Sequence, residues 1–104
     1  MIQLSDIPQR EIMEGFKGQF VHAEGVTLAY WDVDAGASLP THAHFHEQIT
    51  TVVEGRFELT IGDTTNVYEA GLVAVIPSNV PHSGKALTAC KLLDVFSPVR
   101  EDYR

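Results

Sequence analysis

Three histidines, His42, His44 and His46, stand at alternate positions in one short segment, with Gln48 close behind them. On an extended strand successive side chains alternate between the two faces, so His42 and His44 point to the same side and can hold one metal ion together. Zinc, manganese, iron, nickel and copper all accept imidazole nitrogen, and an amide oxygen is an acceptable hard ligand. The segment therefore predicts a metal site.

Two more side chains can complete the ligand set. Gln48 has the same parity as His44, but on a straight strand it would lie about 13 Å away, at about 3.3 Å per residue. It joins the site only if the chain turns near Phe45 and His46 and then returns. One distant histidine is then needed, and His82 offers it. His46 itself is either a contact to a substrate or an exposed loop residue.

An acidic residue interrupts an apolar run near the end of the chain. Asp94 shares a strand face with Cys90, Leu92 and Phe96. A carboxylate on an apolar face costs free energy unless it is paired, and partial desolvation raises its pKa toward values suited to proton transfer. The alternative is an edge-strand carboxylate bound by a neighbour. Arg100 is either a solvated terminal charge or a fork that binds a substrate carboxylate through two parallel hydrogen bonds.

The elements that must position these residues are short strands. Gly, Pro, Asn and Asp recur at short intervals as turn signals, one of them at Ser83-Gly84. Between the turns lie runs rich in β-branched and aromatic residues, at 26–33, 49–53, 56–61, 64–69, 72–76 and 87–96. Only Pro8 to Glu14 has the pattern of a helical turn. Many short strands with regular turns predict an all-β antiparallel sandwich or barrel.

Length and charge exclude several classes of protein. The 104 residues suit one domain, and no apolar run is long enough to span a bilayer. Acidic residues outnumber basic ones fourteen to seven, and the basic residues form no cluster, which argues against nucleic acid and anionic membrane surfaces as partners. The N-terminus lacks the pattern of a signal peptide, and the single cysteine, Cys90, suits a reducing compartment. We therefore expect a cytoplasmic protein.

Two motifs resemble those of a known family. Residues 36–55 follow the pattern Gly36-x5-His42-x-His44-x3-Gln48-x6-Gly55, and residues 71–82 follow Gly71-x5-Pro77-x-Asn79-x2-His82. These resemble the first and second motifs of the cupins. The sequence departs from the family at three positions: Gln48 replaces the usual glutamate, Asn79 the usual glycine, and Ala86 a frequent asparagine. The resemblance implies one cupin domain over residues 1–104, a double-stranded β-helix barrel with one divalent metal ion on His42, His44, Gln48 and His82.

The glutamine affects which kind of substrate the metal site would attract. Four neutral ligands leave the full charge of a divalent ion uncompensated, whereas a glutamate would cancel part of it. The site should therefore attract an anionic group such as a carboxylate or an enolate.

The tail from Leu92 to Tyr103, together with the segment from His42 to Thr50, is similar to the small pectin-degradation cupins of the KdgF type. That resemblance implies conversion of monomeric 4,5-unsaturated uronates, released by pectate or alginate lyases, into the linear 5-keto-4-deoxyuronate. It implies catalytic or substrate-positioning roles for Asp94, Phe96 and Arg100, and a small anionic sugar acid as the partner. Cupins of this size also commonly form homodimers. Four apolar residues near the N-terminus suit such packing, or packing against their own barrel: Ile2, Leu4, Ile7 and Ile12.

Two other functions share these residues. Many cupins use the same ligands with a redox metal as dioxygenases, although oxygen chemistry requires neither Asp94 nor Arg100. A non-catalytic sugar-binding cupin is the second alternative. The ligand types do not choose among manganese, iron, nickel and zinc, and the sequence does not distinguish galacturonate-derived from alginate-derived substrates.

Overall fold

The computed structural model describes all residues from 1 to 104 and is built almost entirely from β-strands. Two helices of the 3-10 type, Leu4–Asp6 and Glu101–Tyr103, lie near the chain ends. The ten strands are β1 Arg10–Met13, β2 Phe16–His22, β3 Thr27–Val33, β4 Ser38–His42, β5 Glu47–Glu54, β6 Phe57–Ile61, β7 Thr64–Tyr68, β8 Val73–Ile76, β9 His82–Ala86 and β10 Cys90–Ser97. The predicted all-β class is confirmed, and neither helix has the length or apolar character to cross a membrane.

The strands form two antiparallel sheets. The six-stranded sheet has the order β1-β2-β3-β10-β5-β8, and the four-stranded sheet has the order β4-β9-β6-β7. Strand β3 shows why the sequence folds this way, because Thr27, Ala29, Trp31 and Val33 are buried while the residues between them are only partly covered. The inward faces of both sheets meet in one hydrophobic core, which closes the barrel.

Strand β10 lies inside the larger sheet, between β3 and β5. In this register Asp94 stands opposite Ala29 of β3 and Thr50 of β5. Two residues later, Phe96 stands opposite Gln48. Because these side chains all point inward, one sheet brings Gln48, Thr50, Asp94 and Phe96 to the same side of the barrel interior.

The prediction of a helical turn over Pro8 to Glu14 is wrong, because Arg10–Met13 forms strand β1. This strand pairs with β2, with Arg10 opposite Gly18 and Met13 opposite Phe16. Gly15 makes the tight connection with a φ of 81°, a conformation that most other residues avoid. Pairing with β2 therefore overrides the weak local preference for helix.

The prediction of a turn at Ser83-Gly84 is also wrong, because both residues lie inside strand β9. Gly84 stands there because the Phe57 ring lies against the backbone. A Cβ atom at position 84 would come within 2.4 Å of Phe57 Cε2. A glycine within a strand often marks such a close approach rather than a turn.

The N-terminal segment lies on its own barrel. The side-chain amide of Gln19, on the outer face of β2, donates hydrogen bonds to the carbonyls of Leu4 and Ile7, at 3.0 and 2.8 Å. Ile2 and Ile12 remain exposed. These hydrogen bonds hold the segment beside β2, and packing of its apolar residues against a second copy stays a prediction.

Replacement of Gly55 tests the close packing of the barrel. Its φ is 88°, and a Cβ atom there would lie 2.3 Å from the carbonyl oxygen of Ala89. We expect Gly55→Ala to lower the free energy of unfolding by about 2 kcal/mol or more. Gly25→Ala is the control, because a Cβ atom at Gly25 meets nothing within 4 Å. Urea denaturation of both variants measures the difference, and equal stabilities would contradict the packing described here.

Candidate metal centre

Three histidine rings meet at one end of the barrel. His42 ends β4 and His82 begins β9, and the two stand directly opposite each other in the four-stranded sheet. His44 follows in the loop after β4. Ring centroids are 4.2 Å apart for His42 and His82, 4.9 Å for His44 and His82, and 5.6 Å for His42 and His44. One nitrogen from each ring lies within 4.8 Å of the other two, which suits a shared cation.

Backbone carbonyls fix the tautomer of each of the three rings. In each ring Nδ1 lies 2.9 Å from a carbonyl oxygen, which can only accept a hydrogen bond, so Nδ1 carries the proton and donates. The pairs are His42 with Pro40, His44 with His46, and His82 with Val80. Each neutral ring therefore keeps its lone pair on Nε2, as a metal ligand requires.

The cluster fits a cation in its chemistry as well as in its geometry. His82 Nε2 is buried and has no hydrogen-bond partner in the protein. A buried acceptor without a partner is costly, and a metal ion would satisfy it. Burial also lowers the pKa of His44 and of His82, and the neighbouring rings and Arg100 act in the same direction. Both shifts favour the neutral ring, which is the form that binds metal.

Gln48 reaches the cluster through the expected turn of the chain. The chain bends at Phe45 and His46, and strand β5 then returns Gln48 to the site. Its Oε1 lies 3.0 Å from His44 Nε2. Both atoms are acceptors when Nδ1 of His44 carries the proton. Their separation matches two adjacent ligands with bond lengths of about 2.1 Å, so Gln48 is in position to be the fourth ligand.

Asp94 lies beneath this cluster with both carboxylate oxygens engaged. Oδ2 accepts a hydrogen bond from Trp31 Nε1 at 3.0 Å, and Oδ1 accepts one from the Thr50 hydroxyl at 2.6 Å. Burial raises the pKa of Asp94, although hydrogen bonds from Thr50, Gln48 and Trp31 act against this rise. The protonated form is therefore more accessible than in an ordinary aspartate, as a proton-transfer group requires.

The Arg100 guanidinium lies beside two aromatic rings, 4.6 Å from the Phe96 centroid and 4.1 Å from the Tyr103 centroid. Its Nε and Nη2 donate to the two carboxylate oxygens of Asp102, at 2.9 and 2.7 Å. The arginine is thus no solvated terminal charge, since its side chain is only 11% exposed. Its bidentate edge is already engaged with Asp102, and Nη1 is left for other acceptors.

Phe96 separates the arginine from the histidines. The ring is buried, and its edge contacts His44 with centroids 5.9 Å apart. His46 takes a different position from the cluster, because its Nε2 lies 3.2 Å from the carbonyl oxygen of Val99. His46 Nδ1 is buried without a partner. His46 therefore lies beside the site, tied to the C-terminal segment.

The sequence did not point to three residues that line the pocket, Trp31, Thr50 and Tyr103. A signal existed for Thr50, which follows Gln48 on the inward face of β5 and is polar where a core residue would be expected. Trp31 gave no local signal, because it meets Asp94 only through the pairing of β3 with β10. Tyr103 lies three residues after Arg100, and the short C-terminal helix brings the two side chains together.

Much of the pocket wall is apolar. Both sheets contribute to this wall, which includes Leu39, Phe57, Leu59 and Leu92. The polar lining consists of three histidines with Gln48, Thr50, Asp94 and Arg100. A ligand in this pocket can therefore contact both polar groups and hydrophobic side chains.

Comparisons with known proteins agree with this architecture. The family model described as the Cupin domain matches residues 29–96. The uncharacterized protein SCO3923 of Streptomyces coelicolor is 28% identical over 91 residues, which cover 86% of this chain and 87% of that protein.

Two solved structures resemble the whole chain. An RmlC-like cupin from Shewanella frigidimarina is 30% identical and has a TM-score of 0.95, covering 100% of this chain and 95% of the other. KdgF from Halomonas sp. is 25% identical and has a TM-score of 0.94, covering 100% of this chain and 97% of that one.

The lowered histidine pKa values predict how stability without metal depends on pH. Below about pH 6.5 the unfolded chain takes up protons on His44 and His82 that the folded protein resists. Stability should therefore be highest above that pH and fall as the pH drops toward the lowered pKa values. Thermal unfolding in chelator from pH 7.5 to 5 measures this slope, and His82→Gln should reduce it. If the slope is unchanged in His82→Gln, burial of His82 does not contribute to the pH dependence of stability.

Proposed function

The chain belongs to the cupin family, and we propose that it is a metal-dependent enzyme that converts monomeric 4,5-unsaturated uronates into linear 5-keto-4-deoxyuronate. One observation carries the proposal. A buried carboxyl with a raised pKa, Asp94, and a guanidinium, Arg100, line the same pocket as three histidines and Gln48. The resemblance to the KdgF type, in the tail sequence and in overall structure, supports the choice of substrate.

The ligands would be His42, His44, Gln48 and His82, all neutral. A divalent ion bound there would supply a Lewis acid for the substrate oxygens. Because no protein carboxylate is among these four ligands, the site keeps a strong attraction for an anionic substrate. The protein has a formal net charge of −7, so this local attraction must overcome a general repulsion of anions.

Asp94 is the group that moves the proton. The reaction opens the sugar ring and turns an enol into a ketone, so one proton must leave oxygen and another must reach carbon. A carboxyl whose pKa is raised by burial is more readily protonated than an ordinary aspartate, which suits this task. Trp31 and Thr50 hold the carboxyl in one orientation through their hydrogen bonds to its oxygens.

Arg100 orients the substrate carboxylate. Phe96 and Tyr103 hold the guanidinium by cation–π contact, and Asp102 holds its Nε edge. The Nη1 group is then the donor that remains for the substrate. Phe96 contacts both the arginine and His44.

A second candidate follows from the apolar wall. Sugar hydroxyl groups need many hydrogen-bond partners, and Leu39, Phe57, Leu59 and Leu92 provide none. This lining favours a less polar small molecule with one anionic end, converted by another metal-dependent reaction such as oxygenation. Oxygen consumption that depends on both substrate and iron would select this candidate over the uronate reaction.

We also propose that two copies form a homodimer through the outer face of the larger sheet. Val53, Val73 and Val75 are 50%, 54% and 61% exposed there, and Ile49 lies beside them. Strand β8 is the sheet edge, and Val73–Ile76 contains no charge or proline to block pairing with an identical strand. These four apolar side chains add no like charges to an interface between two copies of net charge −7.

Light scattering after gel filtration tests this association. Wild-type protein should have twice the mass of the chain, and Val75→Lys should shift it toward the monomer because the new charge would be buried in the interface. Thr65→Lys, on the edge strand of the other sheet, is the control and should leave the mass unchanged. A monomeric wild type would contradict the proposal.

Freshly prepared 4,5-unsaturated galacturonate tests the activity. Loss of the conjugated enol, followed by ultraviolet absorbance and proton NMR, should be faster with the metal-loaded protein than without it. Asp94→Ala should slow turnover by about 10²–10⁴-fold, because that is the usual contribution of general acid–base transfer. The assay uses saturating metal, so that any loss of metal affinity in this variant does not limit the rate.

Asp63→Ala removes an exposed carboxylate in the turn between β6 and β7 and serves as the matched control. It should keep the full rate. Wild-type turnover by Asp94→Ala would rule out the role of Asp94. No acceleration by metal-loaded wild-type protein would rule out the uronate as substrate.

A further inference from the structure

We propose that Thr50 is a positioning residue that determines which end of the Gln48 amide faces the three histidines. This inference rests on the metal site of the proposed function, but it does not depend on the substrate. It follows from a chain of hydrogen bonds that crosses strands β3, β10 and β5 and ends at Gln48, whose amide oxygen lies next to His44 Nε2.

Every link in this chain lies within hydrogen-bond distance. Trp31 Nε1 lies 3.0 Å from Asp94 Oδ2, and Asp94 Oδ1 lies 2.6 Å from Thr50 Oγ1. Thr50 Oγ1 lies 3.0 Å from Gln48 Nε2, and Gln48 Oε1 lies 3.0 Å from His44 Nε2. Gln48, Thr50 and Asp94 are each at most 7% exposed, so water does not substitute for these partners.

Donor and acceptor chemistry gives the chain one direction. An ionised Asp94 carboxylate can only accept, so the single proton of the Thr50 hydroxyl is donated to it. The Thr50 oxygen then has only lone pairs to offer Gln48. The Gln48 amide must therefore present its NH2 group to Thr50, and its oxygen must point to the histidines.

The reversed amide is unfavourable at the Thr50 end, because its oxygen would face the Thr50 oxygen without a proton between them. At the other end its NH2 group would donate to the Nε2 lone pairs of the metal-free histidines, so this orientation competes with a cation for the same lone pairs. A cation there would then meet two amide hydrogens in place of one oxygen ligand. Thr50 thus favours the orientation in which Gln48 can bind metal.

A matched pair of substitutions tests this role. Thr50→Ser keeps the hydroxyl, whereas Thr50→Ala differs from it by a single oxygen atom. Ni²⁺ binding to the chelator-treated protein, measured by calorimetry, is the readout. We expect Thr50→Ala to weaken binding by about 10–100-fold and Thr50→Ser to stay within about 3-fold of the wild type, as is typical when the partner of a metal ligand is lost.

The background variant Gln48→Glu separates orientation from packing. A carboxylate presents an oxygen whichever way it turns, so Thr50→Ala should cost much less Ni²⁺ affinity in Gln48→Glu than in the wild type. Equal losses in both backgrounds would show that Thr50 acts through packing alone and would overturn the inference. Equal Ni²⁺ affinity of Thr50→Ala and Thr50→Ser would overturn it as well.

The outcomes distinguish this inference from the proposed function. If the wild-type protein binds Ni²⁺ but leaves the uronate unchanged, the proposed substrate is wrong. The comparison of the Thr50 variants still tests this inference in that case. A wild-type protein that binds no Ni²⁺, Mn²⁺ or Fe²⁺ contradicts both. Thermal unfolding of each variant without metal confirms that the affinities compare folded proteins.

Discussion

The carboxylate of Asp94, buried in the middle of the larger sheet, constrains much of the candidate site. A charge in this place requires donors on both sides, and the register of β10 provides them from Trp31 on β3 and Thr50 on β5. Thr50 in turn holds Gln48, which reaches the histidines. The pairing of three neighbouring strands therefore sets the geometry of groups that are far apart in the sequence.

Local patterns in the sequence predicted a large part of this structure. The spacing of His42 and His44, with Gln48 and His82 at the distances that a cupin motif requires, brought out residues that do converge. Alternation along the last strand also placed Asp94 on the buried face. Both inferences succeed because a strand has a period of two and because the turns between strands are short.

Other features could not be predicted, because they depend on contacts between residues that are distant in the sequence. Gly84 resembles a turn residue, yet it lies in a strand because Phe57 covers its backbone. Arg10–Met13 resembles a helical turn, yet it pairs with β2. Asn79, a departure from the motif, keeps the positive φ of 64° expected for a glycine position, which asparagine adopts more readily than most residues. Each outcome depends on the backbone around the residue rather than on its neighbours in the sequence.

The placement of the ligands on two sheets has a mechanical consequence. His42 and His82 belong to the four-stranded sheet, and Gln48 belongs to the six-stranded sheet. A cation held by all three would join the sheets at the open end of the barrel, as a disulfide joins two strands. Because such an ion binds only the folded chain, its binding free energy adds to that of folding, and resistance to unfolding rises with the free ion concentration. The bound ion that would prepare the site for substrate would then also hold the two sheets of the barrel together.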